Sequence, residues 1–300
     1  MARALHRDGG MNVALVHNTR SGDALPPGEL RRAIEDAGHR VVHEIAKGDG
    51  LAVLDEDEIE LVAIAGGDGT IGDVARTLAG RGLPFAVLPL GTANNIAKSL
   101  GVEGEPAELA RRWNGARRVP FDMGAVRGAW GQTGFLEGVG AGLVPAAIAA
   151  AQRRGKKRLA RSDGGPLEGA RRLYGRTLRT LAPAPYAIVA DGERFDGEYL
   201  LVQVLNIARV GPNLVLSAEA DPGDGMLDLV LAGEGERDAL RALFERGAEN
   251  ARDVALPVRR ARTVEITQAT ALHVDDEVRG GGEAGAVSIE VAPERVEFVV

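Results

Sequence analysis

The sequence predicts an α/β protein that joins an N-terminal three-layer domain, built around a parallel sheet, to a C-terminal antiparallel β-sandwich domain. In the first 120 residues, short and continuously apolar segments alternate with helical segments, which is typical of a parallel sheet covered on both faces. After Pro120, turn dipeptides at Arg127-Gly128, Asp191-Gly192 and Asp224-Gly225 separate short strands, and this spacing favours antiparallel pairing. We therefore predict domains at residues 1–121 and 122–300.

The periodicity of apolar residues places the elements of both domains. In the first domain it predicts strands at 13–16, 41–45, 61–65 and 85–88, and helices at 27–37, 71–78 and 96–100. In the second domain it predicts strands at 200–205, 226–231, 264–266, 272–274, 287–291 and 296–300. Helices are predicted there at 145–160, 167–181 and 238–244.

Composition excludes several classes of function. The absence of cysteine from all 300 residues excludes disulfides, zinc-thiolate sites, iron–sulfur clusters and cysteine nucleophiles. A net charge of -7 gives no footprint for nucleic-acid binding. Since the N-terminus lacks an apolar signal segment and no stretch approaches the roughly 20 apolar residues of a membrane span, we expect a cytoplasmic protein. The sequence leaves the oligomeric state open, a homodimer included.

A glycine-rich loop follows the third predicted strand. It consists of Gly66, Gly67, Asp68, Gly69 and Thr70, and a helix follows it directly. Glycines let backbone N–H groups approach an anion closely, and the helix adds the positive end of its dipole. The segment therefore predicts a phosphate site, with a tight turn that binds nothing as the alternative.

Two other phosphate-binding patterns fit less well. Gly67, Gly69 and Gly72 have the spacing of a dinucleotide fingerprint, but no acidic residue for the ribose occurs between Asp73 and Glu103. Residues 91–99 resemble a P-loop, but Ala97 stands where the second glycine should precede Lys98 and Ser99. We reject both.

Two further polar loops are expected beside the glycine-rich loop. Residues 18–22 follow the first predicted strand and residues 91–95 follow the fourth. Because the carboxyl ends of parallel strands meet at one edge of the sheet, where such folds bind ligands, we expect the three loops to converge.

These three segments together resemble the nucleotide-binding segments of the bacterial diacylglycerol kinase family, which is related to sphingosine and ceramide kinases. They read Asn-Thr-Arg-Ser-Gly at 18–22, Gly-Gly-Asp-Gly-Thr at 66–70 and Pro-Leu-Gly-Thr-Ala-Asn-Asn at 89–95. Segments 206–211, 221–228 and 274–277 resemble the second domain of that family. The resemblance implies an ATP-dependent lipid kinase with an α/β domain, a β-sandwich domain and ATP bound between them.

The resemblance also implies roles for individual residues. Asp68 is expected to act on Mg²⁺, and a second metal-binding turn is expected at Asp221, Asp224 and the Met226 carbonyl. An ordinary turn is the alternative for the latter segment. The residues expected to bind the nucleotide are Asn18, Ser21, Gly22, Gly66, Gly67, Asp68, Gly69, Thr70, Gly91, Thr92 and Asn94.

The acceptor hydroxyl needs a carboxylate that takes its proton. Asp275 and Glu277 are the candidates by resemblance. On a strand, residues two apart face the same side, so these two would share one site while Asp276 points away. A solvated acidic turn is the alternative.

Two departures from the family pattern keep other functions open. Asn95 replaces the usual aspartate of an Asn-Asp pair, and Asp276 replaces the glycine of Asp-Gly-Glu. They motivate a nucleotide-binding regulator that no longer catalyses. A NAD kinase, which shares the glycine-rich loop, is the other alternative.

A basic cluster suggests a partner. Arg153, Arg154, Lys156, Lys157 and Arg158 are followed by Arg161, Arg171 and Arg172 in an otherwise acidic protein. Such charges are attracted to anionic lipid, so we expect peripheral membrane contact near a lipid substrate. A solvated helix face is the alternative.

Overall fold

The computed structural model describes residues 10–20, 22–51, 54, 58–155, 162–246, 254–267, 271–280 and 285–300. The chain forms two compact units. The first comprises the described residues up to Phe121 together with Glu294–Val300, and the second comprises Asp122–Pro293. The predicted class, a mainly parallel sheet followed by antiparallel structure, is confirmed.

The elements have the following bounds in chain order. The strands are β1 Asn12–His17, β2 Arg40–Ala46, β3 Leu61–Gly66, β4 Phe85–Pro89, β5 Arg118–Gly128, β6 Gly131–Phe135, β7 Gly138–Gly142, β8 Ala184–Ala190, β9 Glu193–Arg194, β10 Gly197–Tyr199, β11 Leu201–Leu205, β12 Arg209–Val210, β13 Leu214–Val215, β14 Leu227–Ala232, β15 Val258–Ala261, β16 Thr263–Thr267, β17 Ala271–Val274, β18 Glu277–Gly280 and β19 Val287–Val299. The helices are α1 Pro27–Asp36, α2 Asp68–Leu78, α3 Asn95–Ser99, α4 Pro106–Arg112, α5 Leu143–Arg154, α6 Gly165–Thr180 and α7 Arg237–Arg246, with a 3-10 turn at Glu234–Glu236.

The first unit is built on a parallel sheet with strand order β2-β1-β3-β4. Strand β3 is buried along its whole length, as its unbroken apolar sequence requires. Strands β1, β3 and β4 run in the same direction, so the loops that follow them leave the sheet at one edge. This edge carries the three predicted loops.

The second unit contains an antiparallel sheet with strand order β15-β14-β11-β7-β17-β18. One face of this sheet packs against β8, β16 and the first residues of β19, and residues such as Val204 and Ile266 form the core between the layers. Its other face packs against α5, α6 and α7 through residues such as Leu201 and Leu205. Both faces of β11 are therefore covered, which explains why four of its five residues are apolar.

Several predicted boundaries differ from the structure. The hairpin between β5 and β6 turns at 129–130, just after the predicted Arg127-Gly128. The helix predicted at 145–160 begins at Leu143 and is followed to Arg154, while 156–161 lie outside the described residues. The strands predicted at 287–291 and 296–300 are one continuous strand, β19.

The end of β19 belongs to the first unit, whereas the predicted second domain extended to Val300. Phe298 pairs with Phe85 of β4 in parallel register. Its ring also lies 5.8 Å from that of Phe85 and 5.1 Å from that of Phe121. Aromatic packing of this kind stabilises the returning strand against the first sheet.

Candidate functional site

The glycine-rich loop begins helix α2. Gly67 is extended, with φ -96°, and the helix starts at Asp68. The carbonyl of Gly67 already accepts the N–H groups of Thr70 and Ile71, at 2.8 and 3.1 Å. The N–H groups of Asp68 and Gly69, which precede these, have no acceptor within the helix, so this end of α2 can bind an anion.

Two contacts join the three loops of the first unit. The side-chain amide of Asn18 donates to Thr70 Oγ1 at 3.1 Å. A Cβ atom added to Gly67 would lie 3.0 Å from the Gly91 Cα, and one added to Gly91 would lie 2.4 Å from the Gly67 Cα. The glycines are therefore needed because two backbones touch here.

Asp68 forms a third link. Its Oδ1 accepts the N–H of Ile96, in α3, at 2.9 Å. Burial raises the pKa of Asp68, while hydrogen bonds from the backbone of Ile96 and Asn95 oppose that increase. Its carboxyl group thus holds two loops together and lies at the start of helix α2.

The loop after β4 is shaped by Asn94. This residue has a left-handed backbone, with φ 52°, and its Oδ1 accepts the Gly91 N–H at 2.9 Å. Its amide donates to the carbonyls of Gly91 and Pro89, at 2.9 and 3.3 Å. Asn94 therefore closes the loop on itself. Thr92 is exposed, and a Cβ atom on Gly22 would lie 2.9 Å from its hydroxyl oxygen.

One residue that contacts the glycine-rich loop was not predicted from the sequence, and one predicted site residue lies outside the described residues. Lys47 directly follows β2, and its ammonium group donates to the Gly69 carbonyl at 3.0 Å and pairs with Asp73 at 2.7 Å. The sequence signal that could have identified Lys47 is its position directly after β2, a strand of the same parallel sheet. Ser21 lies outside the described residues.

The prediction that Asp275 and Glu277 lie two residues apart on one strand was wrong. Asp275 and Asp276 form the turn between β17 and β18, so Asp275 is not on a strand and the alternation rule does not apply to it. Asp275 has a left-handed backbone, with φ 51°. A two-residue hairpin turn requires such torsions, and here an aspartate supplies them.

Backbone amides hold the Asp275 carboxylate. Its Oδ1 accepts N–H groups from Glu137 at 2.9 Å and from Leu136 and Gly138 at 3.3 Å. Asn206 stabilises the donor segment, because its buried amide donates to the Leu136 carbonyl at 3.0 Å and its N–H to the Glu137 carbonyl at 3.0 Å. These backbone donors therefore fix the position of the Asp275 carboxylate.

Glu277 has a different environment. It is exposed and pairs with Arg279 on the same strand at 2.5 Å. The charge of Glu277 is thus partly neutralised by a neighbouring cation.

His273 and Gln203 form a buried polar pair, and His273 contacts the backbone of Asp275. His273 is fully buried, and its Nδ1 lies 2.7 Å from the Asp275 carbonyl oxygen. Its Nε2 lies 2.8 Å from the side-chain amide of Gln203. Gly140 of β7 pairs with Gln203 of β11 on one side and with His273 of β17 on the other, and the two side chains meet over this glycine. Burial lowers the pKa of His273 to about 4.

The predicted second metal turn is stabilised by its own side chains. Asp221 Oδ1 accepts the Gly223 N–H at 2.9 Å, and Asp224 Oδ1 accepts the Met226 N–H at 2.9 Å. Asp224 also pairs with Arg260. A metal at this turn stays a prediction.

The donor chemistry fits magnesium at Asp68. No cluster of three His, Cys, Asp or Glu side chains occurs among the described residues. Magnesium, however, retains several waters and commonly binds one or two carboxylates together with substrate phosphates. A single carboxylate at the start of α2, where a phosphate is expected, fits this coordination of magnesium.

The membrane expectation is tested only in part. In the described part of the chain, no helix is long and apolar enough to cross a membrane. Arg153, Arg154, Arg171 and Arg172 are described, while 156–161 are not.

Comparison with known proteins adds to this geometry. Residues 12–126 match the diacylglycerol kinase catalytic domain, and residues 172–300 match the YegS C-terminal NAD kinase beta sandwich-like domain. The chain thus resembles diacylglycerol kinases in both its first and its second unit. The predicted resemblance is thereby confirmed, and the match contains all three loops of the first unit.

Relatives of the family are moderately similar. The chain is 31% identical over 206 residues to a "Probable lipid kinase YegS-like" of Klebsiella pneumoniae (strain 342), covering 66% of this chain and 65% of that protein. It is 33% identical over 179 residues to a diacylglycerol kinase of Bacillus subtilis (strain 168), covering 58% of this chain and 55% of that protein. Both matches span less than two thirds of the relative.

The fold has a counterpart among solved structures. A diacylglycerol kinase from Bacillus anthracis str. Sterne superposes with a TM-score of 0.72 at 22% identity, covering 96% of each chain. At this identity, the likeness concerns the fold.

Proposed function

We propose that this protein is a lipid kinase that binds MgATP and transfers the γ-phosphoryl group to a hydroxyl of diacylglycerol or a similar lipid. The observation that carries the proposal is the meeting of three loops at the start of α2, where the backbones of Gly67 and Gly91 touch. Such backbone contact leaves room for N–H groups rather than side chains to face a phosphate.

Each loop has a separate role in this proposal. The first-turn N–H groups of α2 bind the phosphates, and Asn18 holds the first loop against Thr70. Asp68 is assigned to Mg²⁺, which when bound neutralises charge on the phosphate oxygens. Asn94 preserves the shape of the third loop.

We assign the general base to Asp275 rather than Glu277. A base must remain ionised and keep a fixed orientation until the acceptor hydroxyl loses its proton. Backbone N–H groups of residues 136–138 orient the Asp275 carboxylate, whereas Glu277 is exposed and pairs with Arg279 on its own strand. Asp276, exposed in the same turn, is not assigned a role.

A NAD kinase is the second candidate. The observation that favours it is the match of residues 172–300 to a domain described as NAD kinase beta sandwich-like. The glycine-rich loop would then act on a dinucleotide acceptor, with the same nucleotide as phosphoryl donor.

One assay separates these functions. The protein is incubated with radiolabelled ATP, Mg²⁺, diacylglycerol micelles and NAD, and the products are partitioned between organic solvent and water. Label in the organic phase supports the lipid kinase, and label in NADP supports the NAD kinase. ATP binding without any labelled product would contradict both and favour a regulator.

A further inference from the structure

The backbone of Asp275 is held on both sides of its Cα atom. Its N–H donates to the Gly138 carbonyl at 2.8 Å, and its carbonyl oxygen lies 2.7 Å from Nδ1 of His273. Asp275 has φ 51°, and such a left-handed backbone is unfavourable for a residue other than glycine. Surrounding contacts must therefore stabilise this turn, and His273 supplies one of them.

The partners of His273 determine which of its ring nitrogens carries a proton. A carbonyl oxygen only accepts hydrogen bonds, so the contact with Asp275 requires a proton on Nδ1. Burial lowers the pKa of His273 to about 4, so the ring is neutral near pH 7 and Nε2 carries no proton. Nε2 is therefore an acceptor, and the neighbouring amide of Gln203 must donate to it.

The Gln203 amide is able to be this donor. While its oxygen faces His273, its nitrogen is buried and has no hydrogen-bond partner within the described part of the chain. Turning the amide by half a rotation exchanges the oxygen and the nitrogen, which gives the buried nitrogen a partner and directs an N–H group to Nε2 of His273. The needs of both side chains are then met by one arrangement, in which Gln203 fixes the tautomer of His273.

Gly140 leaves the space that this pair needs. A Cβ atom added to Gly140 would lie 2.3 Å from Gln203 Oε1 and 2.5 Å from the Val202 carbonyl oxygen. A side chain at this position would therefore displace Gln203 from its place beside His273. The pair thus depends on three neighbouring strands of one sheet, β11, β7 and β17.

We propose that His273 is a positioning residue for Asp275. Its Nδ1–H group holds the Asp275 carbonyl, Gln203 holds its Nε2, and the turn fixed in this way keeps the Asp275 carboxylate on the N–H groups of residues 136–138. This inference rests on the proposed function, in which Asp275 is the general base. Misplacement of a reacting group by about 1 Å can lower a rate about a hundredfold, so a loosened turn should reduce kcat.

Two amide side chains at position 273 separate the two contacts of the ring. In His273→Asn the amide nitrogen is as many bonds from Cβ as Nδ1 is, so it can still donate to the Asp275 carbonyl. In His273→Gln the amide reaches the place of Nε2, so it meets Gln203 and no longer serves Asp275. With diacylglycerol and saturating MgATP, His273→Asn should keep kcat within about threefold of the wild type, and His273→Gln should lose about ten- to a hundredfold. KM for ATP should be unchanged in both variants.

The matched control is His39→Gln in the first unit. His39 is also buried, and its ring nitrogens meet the Met11 N–H at 3.2 Å and the Ala110 carbonyl oxygen at 2.9 Å. Its replacement should lower stability in denaturant titrations and leave kcat unchanged. The control thus shows whether the loss of a buried histidine is by itself enough to affect turnover.

Two measurements that need no turnover separate this inference from the proposed function. Hydrogen exchange, followed by mass spectrometry on peptides that contain residues 136–138, reports on the N–H groups that bind the Asp275 carboxylate. These amides should exchange faster in His273→Gln than in the wild type, and at the wild-type rate in His273→Asn. NMR of the imidazole nitrogens of the wild type should show a proton on Nδ1 of His273 and none on Nε2.

Equal kcat and equal exchange in the two variants at position 273 would overturn the inference, and so would a proton on Nε2 in place of Nδ1. A loss of kcat in His39→Gln as large as that in His273→Gln would also overturn it. Absence of lipid phosphorylation by the wild type would instead refute the proposed function, and the exchange of residues 136–138 would still decide whether His273 holds the turn.

Discussion

The contact between Gly67 and Gly91 makes a single methyl group a stringent probe of the proposed nucleotide site. In Gly91→Ala the new Cβ would lie 2.4 Å from the Gly67 Cα and 2.7 Å from Asn94 Oδ1. Ordinary contact begins near 3.4 Å, so the two loops must separate by about 1 Å. The neighbour is backbone, and no side-chain rotation can relieve the contact.

The expected cost follows from this displacement. Overpacking of this kind costs about 1–3 kcal/mol. If that cost appears when ATP orders the loops, at about 1.4 kcal/mol per tenfold, the ATP affinity falls by a factor of about 5 to 140. The Gly91 N–H bond to Asn94 Oδ1 would be disturbed as well.

Isothermal titration with MgATP measures the effect, and thermal denaturation shows whether the variant is folded. The control is Gly28→Ala in α1, where an added Cβ meets nothing within 4 Å. It should bind ATP like the wild type. A folded Gly91→Ala variant with unchanged ATP affinity would refute the reasoning that the two backbones form the site.

Three further predictions concern other parts of the molecule. Asn18→Ala removes the bond to Thr70, worth about 0.5–1.5 kcal/mol, so its ATP dissociation constant should rise roughly two- to tenfold by titration. Asp275→Asn should lower kcat about 10²- to 10⁴-fold with little change in ATP affinity, and Glu277→Gln, as its control, should stay near wild type; equal losses in both variants would contradict the assignment of the base. Burial lowers the pKa of His273 from 6.5 to about 4, so the unfolded state binds more protons between these values and stability should fall as pH falls from 6.5 to 4. The loss of stability is at most about 3.4 kcal/mol, and His273→Gln should reduce this dependence on pH in denaturant titrations at several pH values.

Local sequence patterns were sufficient to predict the loops of the first unit. The glycine-rich loop was predictable because an unbroken apolar run, Leu61–Gly66, precedes it and because parallel strands bring their following loops to one edge. The convergence of Asn18, Thr70 and Gly91 follows from strand order. The backbone contact between Gly67 and Gly91 does not, because it depends on a fraction of an ångström in the separation of two loops.

The second unit was less predictable where long-range contacts decide the structure. The turn at Asp275 was assigned to a strand because the run from Leu272 looks extended, and only its bonds to residues 136–138 reveal the turn's role. The contact between His273 and Gln203 joins residues 70 positions apart across Gly140. No local periodicity encodes such a meeting.

Pro293 explains the error at the C-terminus. A proline between two segments of alternating apolar and polar residues predicts a break in the strand, because proline has no N–H group to donate to a neighbouring strand. The structure nevertheless continues β19 through this residue from Val287 to Val299. The strand leaves the second unit and enters the first directly after Pro293.

Hydrogen exchange measured by mass spectrometry, with and without MgATP, tests the central claim most directly. If a triphosphate binds the start of α2, amides of residues 66–72 and 91–96 should exchange more slowly when MgATP is present, and Gly91→Ala should diminish that protection. Unchanged exchange in both segments at saturating MgATP would contradict the account.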